Sequence, residues 1–378
     1  MRLRVGVNLL YMRPGVVGGS EVYIERLLRA LGAEAAEDVE LTLFVNRRFR
    51  DAHADLAADH HVVVAPITGD SPPIRIGIES TWLAFEASRR PLHLVHHVAN
   101  SIPHVRTRPA VVTIHDLQPI VRPRDMGRVK GAYLRRRLRP AARKARVVTT
   151  PSEYTRRLLI DRFELDEARV IVVPAPLFPQ EMGVEADDGT DASGIEGPFF
   201  LYAAITHPHK NHLTLLRAFA RVARSHPSVS LVLTGGRGAG EDAVLSEVGR
   251  LGLSDRVHRL GRIPRADLDN LFRRSVALTF PSRHEGYGLP VAEAMVLGCP
   301  IIASNATALP EVVGNAGILL DPDDVHGWAD AMERVLQDEG YRRELVAAGR
   351  ERGRTLSPAK TASRLVGAYR LAWDPASR

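Results

Sequence analysis

Short apolar runs alternate along the first half of the chain with segments whose apolar residues recur at helical spacing. The apolar runs predict buried strands at residues 3–10, 40–46, 61–67, 92–98, 110–115, 146–150 and 169–174. The periodic segments between them predict helices, among them residues 20–31, 77–89, 128–145 and 152–163. Strands and helices that alternate with short connections are typical of a parallel, doubly wound α/β sheet.

A polar, acidic stretch interrupts this alternation, and the same pattern then starts again. The second series predicts strands at residues 199–205, 229–235, 256–261, 275–281, 300–304 and 317–320. It predicts helices at residues 211–225, 241–251, 265–273, 290–298, 324–337 and 340–352. We therefore predict domains at residues 1–178 and 198–357, a linker at 179–197 and a terminal helix within 358–378.

Composition and charge narrow the class of protein. The single cysteine, Cys299, excludes an internal disulfide and a cysteine-based zinc site. We see no secretory signal and no apolar run near the ~18 residues of a membrane span, so we expect a cytoplasmic protein. Residues 1–178 carry 28 Lys and Arg against 19 Asp and Glu, and the basic excess favours anionic partners.

The segment at residues 281–295, PSRHEGYGLPVAEAM, carries the most informative chemistry. It joins an apolar strand to a predicted helix through a loop with two glycines, which lets backbone amides approach a ligand. The start of a helix offers unpaired amide donors and suits an anion. Glu285 in the loop and Glu293 in the helix can accept hydrogen bonds from hydroxyls. Phosphate at the helix start and sugar hydroxyls at the carboxylates describe a nucleotide-sugar site.

This segment resembles the Glu-x7-Glu signature of retaining glycosyltransferase family 4, which has the GT-B fold. Other segments resemble that family in the order in which it has them, at residues 18–21, 112–117, 151–155, 209–211, 305–313 and 317–322. The resemblance covers the whole chain and implies two Rossmann-like domains facing a cleft. It further implies that the C-terminal helix crosses back to the first domain, while packing on the second domain is the alternative.

The resemblance implies roles for residues of the second domain. Glu285 would contact hydroxyls of the donor sugar, Glu293 would accept from the ribose hydroxyls, and Lys210 would neutralise the diphosphate leaving group. The remaining donor-binding positions that it implies in this domain are His209, Gly235, Arg262, Ile263, Tyr287, Gly288 and Leu289.

His209 departs from the family pattern, which usually has arginine there. Histidine is a weaker cation near neutral pH and cannot make a two-armed contact to phosphate. Arg283 and His207 are the candidates to complete the diphosphate clamp. Histidines at 207, 209 and 212 lack accompanying carboxylates, so we expect neither a metal nor another cofactor.

In the first domain the resemblance places His115 against the donor sugar, and Gly18 and Gly19 near the donor phosphates. A histidine at a strand end could instead be bonded to backbone at the edge of the core. The glycine loop could instead serve helix capping alone, with Ser20 as the capping residue.

A basic, mostly helical stretch at residues 128–146 contains no acidic residue. Tyr133, Leu134 and Leu138 give it an apolar side. Such a helix could touch anionic membrane that carries a lipid-linked acceptor, which would place the protein peripherally on the cytoplasmic face. The alternative is a solvated helix in an arginine-rich sequence.

The resulting hypothesis is an enzyme that transfers a hexosyl unit, preferentially mannosyl or rhamnosyl, from a nucleoside diphosphate sugar to a hydroxyl of a glycan or lipid-linked acceptor. Such a reaction would serve polysaccharide or glycolipid synthesis with retention of configuration. One alternative is a nucleotide-sugar epimerase or sugar phosphorylase on the same fold. Another is a non-enzymatic basic protein that binds lipid or nucleic acid, although no nucleic-acid motif accompanies the arginines.

Overall fold

The structure, a computed structural model, describes residues 2–15, 18–178 and 194–374, without the side chains of residues 128–130. It divides into two compact units. The first unit comprises Met1–Pro176 and Ser357–Arg378, and the second unit comprises Leu177–Leu356. Most of the predicted linker lies outside the described residues, and residues 194–197 contain neither helix nor strand.

The first unit is built on one parallel sheet. Its strands are β1 (Leu3–Asn8), β2 (Val39–Val45), β3 (His61–Val64), β4 (Leu94–His97), β5 (Ala110–Thr113), β6 (Val147–Thr150) and β7 (Val170–Val172). Among the described residues these seven strands pair in the order β3-β2-β1-β4-β5-β6-β7, and every pair is parallel. All residues of β4, β5 and β6 are buried, as expected of strands covered on both faces.

Helices connect these strands. They are α1 (Gly19–Glu34), α2 (Arg47–Ala52), α3 (Ala54–Asp59), α4 (Pro72–Ser80), α5 (Trp82–Ser88), α6 (Gln118–Val121), α7 (Arg128–Lys144) and α8 (Glu153–Phe163). The helix predicted at 77–89 is present as two helices, because α4 ends at Ser80 and α5 begins at Trp82. Thr81 lies between them and its hydroxyl donates to the carbonyl of Gly77, 2.9 Å away, which closes the last turn of α4.

The second unit repeats the architecture. Its strands are β8 (Phe199–Ala203), β9 (Ser230–Thr234), β10 (Val257–Gly261), β11 (Ala277–Phe280), β12 (Ile301–Ser304) and β13 (Ile318–Leu320). Its helices are α9 (His212–Ser225), α10 (Glu241–Arg250), α11 (Arg265–Arg274), α12 (Leu289–Val296), α13 (Leu309–Val313), α14 (Val325–Gln337) and α15 (Glu339–Arg354). Among the described residues, these strands pair in parallel in the order β10-β9-β8-β11-β12-β13.

Both sheets therefore have the strand order of a doubly wound Rossmann-like fold. In each, the first strand lies third from one edge, and the chain changes direction across the sheet between its first and fourth strands. The predicted fold class of two doubly wound domains is confirmed. No helix of the described residues is both long enough and apolar enough to cross a bilayer.

The last helix, α16 (Pro358–Trp373), belongs to the first unit. Ser357 caps its start by accepting from the amide of Lys360, and Pro358 occupies the first turn, where its missing N–H costs nothing. Leu365 and Ala372 are among the residues that bury one face of the helix against α1 and the strands β4 to β7.

A buried polar chain fastens α16 to the sheet. The hydroxyl of Tyr369 lies 2.9 Å from Nδ1 of His96 on β4, and Nε2 of His96 lies 2.7 Å from the hydroxyl of Thr113. Thr113 in turn lies 2.8 Å from the hydroxyl of Thr149. Burial lowers the pKa of His96 to about 3, so the imidazole is neutral near pH 7 and these contacts do not depend on its protonation there.

Replacing Tyr369 by phenylalanine should destabilise the first unit. The change leaves the buried Nδ1 of His96 without this partner, which typically costs about 1–3 kcal/mol. We expect thermal unfolding several degrees lower than that of the native protein. The matched control is Leu371→Ala on the same helix, whose side chain is exposed. Equal melting temperatures for Tyr369→Phe and the native protein would contradict this view of the docking.

Candidate active site

The central strands of the second sheet bring two predicted site residues together. β8 and β11 are neighbours, and the strand order reverses between them. Open parallel sheets bind ligands at this point, beyond the carboxyl ends of the strands. Lys210 follows β8 at the end of a short 3-10 turn, and Glu285 lies in the loop that follows β11. The topology of the sheet thus places both side chains at its ligand-binding edge.

Lys210 and Glu285 form an ion pair. Nζ of Lys210 lies 2.5 Å from Oε1 of Glu285, and the two side chains are only 17% and 11% exposed. The same ammonium lies 5.7 Å from the ring centre of Phe280, the last residue of β11. A partly desolvated pair of this kind interacts more strongly than an exposed one, and removal of either partner leaves the other charge uncompensated.

Backbone contacts hold the loop that carries Lys210. The hydroxyl of Tyr202 on β8 donates to the carbonyl of Lys210, 2.5 Å away. The amide of Arg283 donates to the carbonyl of His209 over 2.8 Å, which joins this loop to the loop after β11. Asn211 has left-handed backbone angles (φ 58°) and precedes α9. Its side chain donates to the carbonyl of Pro322 instead of capping the helix.

A strained residue fixes the backbone of Glu285. The amide of Glu285 donates to the hydroxyl of Thr307, 2.9 Å away. Thr307 has φ 56°, a conformation that is costly for a β-branched side chain. The sequence segment at residues 305–313 marked this region, but nothing in its residue types indicated the left-handed backbone. Thr307 is thus a site residue that sequence reasoning missed.

Glu293 is buried on α12, with its side chain only 4% exposed. NH1 of Arg265 donates to its Oε1 over 2.6 Å, and NH2 of Arg265 lies 2.8 Å from Oδ1 of Asp269. Burial raises the pKa of Asp269, and the charge of Arg265 opposes that shift. Neither Arg265 nor Asp269 was predicted as a site residue. One sequence feature could have pointed to Arg265. It stands at the start of a predicted helix, three residues after Arg262.

The turn into α12 requires glycine. Gly288 has φ 102°, and a Cβ there would lie 2.5 Å from Cδ2 of Leu309. Tyr287 is buried, and Leu289 is the first residue of the helix. The predicted loop-to-helix turn is therefore present.

Gly235 lies where β9 ends beside β8. Its φ is 111°, and a Cβ would approach the carbonyl oxygen of Ala204 to 2.4 Å, so a side chain cannot be accommodated. Arg262 is exposed, and its guanidinium approaches Gly236, while Ile263 is partly buried. These predicted donor-binding residues lie beyond the ends of β9 and β10, at the same edge of the sheet as Lys210.

The side chain of His209 is buried and its ring stacks on that of His207, with 5.7 Å between ring centres. Arg283, the other candidate for the clamp, directs its guanidinium to Asp323, with Nε 2.9 Å from Oδ1. Asp323 follows β13, so this contact ties the loop after β11 to the neighbouring strand end. That Arg283 or His207 completes the diphosphate clamp stays a prediction.

In the first unit, His115 follows β5. Its Nε2 lies 2.9 Å from the carbonyl oxygen of Val98, and its ring meets Tyr23 edge to face. Burial lowers the pKa of His115, so the ring is neutral near pH 7. A carbonyl only accepts, and Nε2 therefore carries the proton while Nδ1 is an acceptor. The backbone contact that sequence reasoning weighed as the alternative is present, and it leaves Nδ1 able to accept from a hydroxyl.

Gly18 lies at the N-terminal end of α1 with φ 82°, and Gly19 is the first residue of the helix. Ser20 does not cap α1, because it lies inside the first turn, and that expectation was wrong.

Near this helix start, Nε2 of His53 lies 3.3 Å from Oε1 of Glu25 and 3.8 Å from Oε1 of Glu21.

Both halves of the chain are similar to known glycosyltransferases. The family model "Glycosyltransferase Family 4" matches residues 17–177, and the model "Glycosyl transferases group 1" matches residues 190–352. The chain is 28% identical to O-antigen chain mannosyltransferase B of Escherichia coli over 73% of this chain and 74% of that one.

Two solved structures share the fold over nearly the whole chain. Sucrose-phosphate synthase from Thermosynechococcus elongatus has a TM-score of 0.76 at 20% identity, covering 97% of this chain and 98% of that one. Anabaena HepE, solved with UDP and glucose, has a TM-score of 0.72 at 17% identity with the same coverage. Fold and sequence together define a glycosyltransferase of the GT-B class. Within that class, the chain belongs to glycosyltransferase family 4.

Substitutions at Thr307 should separate stability from activity. Thr307→Val keeps the shape but removes the acceptor for the amide of Glu285, and we expect glycosyl transfer to fall about tenfold. Thr307→Gly loses the same bond but relieves strain worth ~1–3 kcal/mol, so its melting temperature should stay near that of the native protein while transfer falls. Thr307→Ser keeps the hydroxyl and is the control. Native-like rates for both Val and Gly would exclude the positioning role.

Proposed function

We propose that the protein transfers a mannosyl unit from a nucleoside diphosphate sugar to an acceptor hydroxyl, with retention of configuration. The observation that carries this proposal is the Lys210–Glu285 pair at the point where the strand order of the second sheet reverses. A cation and a carboxylate side by side match the two demands of the donor. The diphosphate needs positive charge, and the sugar hydroxyls need acceptors.

The proposed mechanism uses Lys210 to stabilise the charge that develops on the departing diphosphate. Glu285 accepts from hydroxyls of the donor sugar and orients the ring. When the donor binds, the ammonium exchanges its contact with Glu285 for one with phosphate. The leaving phosphate takes the proton of the acceptor hydroxyl as the new bond forms on the same face of the sugar. Catalysis is then positioning and charge stabilisation.

His115 supplies a further acceptor in this proposal. Its neutral ring donates from Nε2 to Val98 and keeps Nδ1 as an acceptor. A neutral imidazole can accept from a donor-sugar hydroxyl without adding positive charge. Its role is to orient the sugar.

The support for the identity of the donor comes from similar proteins. A mannosyltransferase that acts on O-antigen chain is similar over about three quarters of the sequence, and this supports mannose as the transferred sugar. HepE shares the fold and was solved with UDP and glucose, which supports a nucleoside diphosphate as the carrier. We propose a glycan or lipid-linked glycan as the acceptor and no metal or other cofactor. Membership of a transferase family favours this activity over the epimerase, phosphorylase and non-enzymatic alternatives.

The donor is identified by thermal shift with the diphosphates of guanosine, uridine and deoxythymidine and with their sugars. With the best donor, Glu285→Gln and Lys210→Ala should each lower the rate of nucleoside diphosphate release by about a hundredfold or more. Their effects should not add in the double variant, because each side chain is the other's partner.

The matched control is Arg217→Gln, which breaks a comparable contact to Glu247 on the outer helices, Nε to Oε1 2.7 Å. It should retain native turnover. Near-native turnover of Glu285→Gln, or stabilisation by none of the nucleotides, would refute the proposed function.

We also propose that α7 contacts anionic lipid. Arg135, Arg136 and Lys144 are exposed on this helix, and Tyr133 is exposed beside them. Other arginines of the helix are engaged within the unit, since Arg139 and Arg143 both pair with Glu164. The surface available for lipid is thus smaller than the sequence suggested.

Removing charge at Arg135 and Arg136 should weaken sedimentation with vesicles that contain phosphatidylglycerol, by about 1 kcal/mol for each charge. Removing charge at Arg139, which already pairs with Glu164, is the control and should have the smaller effect. Equal sedimentation of the native protein and the double variant would favour a solvated helix.

A further inference from the structure

Arg265 occupies a position that its own helix disfavours. It is the first residue of α11, where the dipole of the helix repels a cation, whereas Arg273 and Arg274 lie in the last turn, where cations are favoured. Two buried carboxylates hold Arg265 at the unfavourable end. A residue that conflicts with its local structure is typical of a functional position.

The geometry of the contact argues against simple charge pairing. An arginine that only neutralises one carboxylate commonly makes two parallel hydrogen bonds to it. Arg265 instead divides its two terminal nitrogens, with NH1 2.6 Å from Oε1 of Glu293 and NH2 2.8 Å from Oδ1 of Asp269. The guanidinium is thus anchored on its own helix by Asp269 and reaches across to α12.

The contact between Arg265 and Glu293 matters because Glu293 lies in apolar surroundings. Its neighbours Val291, Ala292, Ala294 and Met295 are completely buried. In such surroundings a carboxylate needs a charged or hydrogen-bonding partner. A carboxylate offers about four acceptor positions, so the bond from Arg265 to Oε1 is compatible with further bonds from ligand hydroxyls.

We propose that Arg265, anchored by Asp269, is a positioning residue that orients Glu293 toward the ribose and so sets a preference for ribonucleoside over 2′-deoxyribonucleoside diphosphates. The inference rests on the proposed function and on the role that the family resemblance implies for Glu293, which is to accept from the ribose hydroxyls. It commits the donor to the ribonucleotide class. A carboxylate held in one orientation loses a hydrogen bond when the 2′-hydroxyl is missing, whereas a mobile one discriminates little.

The test compares dissociation constants, measured by calorimetry, for GDP and 2′-deoxy-GDP and for UDP and 2′-deoxy-UDP. For the better-bound base, the native protein should bind the 2′-deoxy form about 10- to 100-fold more weakly, as expected for loss of one hydrogen bond to a charged group. In Arg265→Gln this ratio should fall to about threefold or less. The ratio is informative because a purely structural defect weakens both ligands equally.

Two further variants and one control complete the design. Arg265→Lys keeps the charge but cannot reach both carboxylates with a planar fork, so its ratio should be intermediate. Asp269→Asn removes the anchor and should also lower the ratio. Arg217→Gln loses a similar contact to a similarly buried glutamate and should keep the native ratio. Melting temperatures show whether each variant is folded.

The outcomes separate the two proposals. If the native protein binds neither GDP nor UDP, the proposed function and this inference both fail. If it binds one of them but shows no ribose preference, or if Arg265→Gln and Arg265→Lys keep the native ratio, the inference about Arg265 is overturned while the donor-binding proposal stands.

Discussion

The candidate site depends on the adjacency of β8 and β11 in the second sheet. Because the strands are parallel, their carboxyl ends open at one edge, and because the strand order reverses between these two, the helices that follow them diverge and leave room there. Lys210 and Glu285 meet across this gap at 2.5 Å although they lie far apart in the sequence. Hydrogen bonds from Tyr202 and Arg283 to the loop before α9 then fix how the cation is presented.

The second carboxylate, Glu293, is held in place by a different kind of contact. Glu285 lies in a loop, and its backbone amide is fixed by a strained threonine. Glu293 lies inside a buried helix and is fixed by a guanidinium from the neighbouring helix. Both acidic residues are therefore held in place, Glu285 through its backbone amide and its ion pair with Lys210 and Glu293 through its side chain.

The strands of both sheets and the positions of the two glutamates were predictable from the sequence. The strands are continuous apolar runs, and the glutamates stand at a fixed spacing in a segment rich in glycine, so both could be located from residue types alone. The left-handed backbone of Thr307 and the reach of Arg265 to Glu293 depend on tertiary contacts that no local pattern encodes. The break between α4 and α5 was missed because it falls at Thr81, where no glycine or proline marks it in the sequence. Capping by Ser20 was a wrong expectation, because α1 begins at Gly19 and Gly18 occupies the N-cap.

The membership of α16 in the first unit has a consequence for biosynthesis. α16 leaves the ribosome only after the whole second unit, yet it covers α1 and the strands β4 to β7, which are made before that unit. The second unit is contiguous and can complete its core before α16 emerges, while the first must wait with an apolar face uncovered. During that interval the nascent chain is open to chaperones and to aggregation, so ribosome stalling between the second unit and α16 would leave the first sheet uncovered.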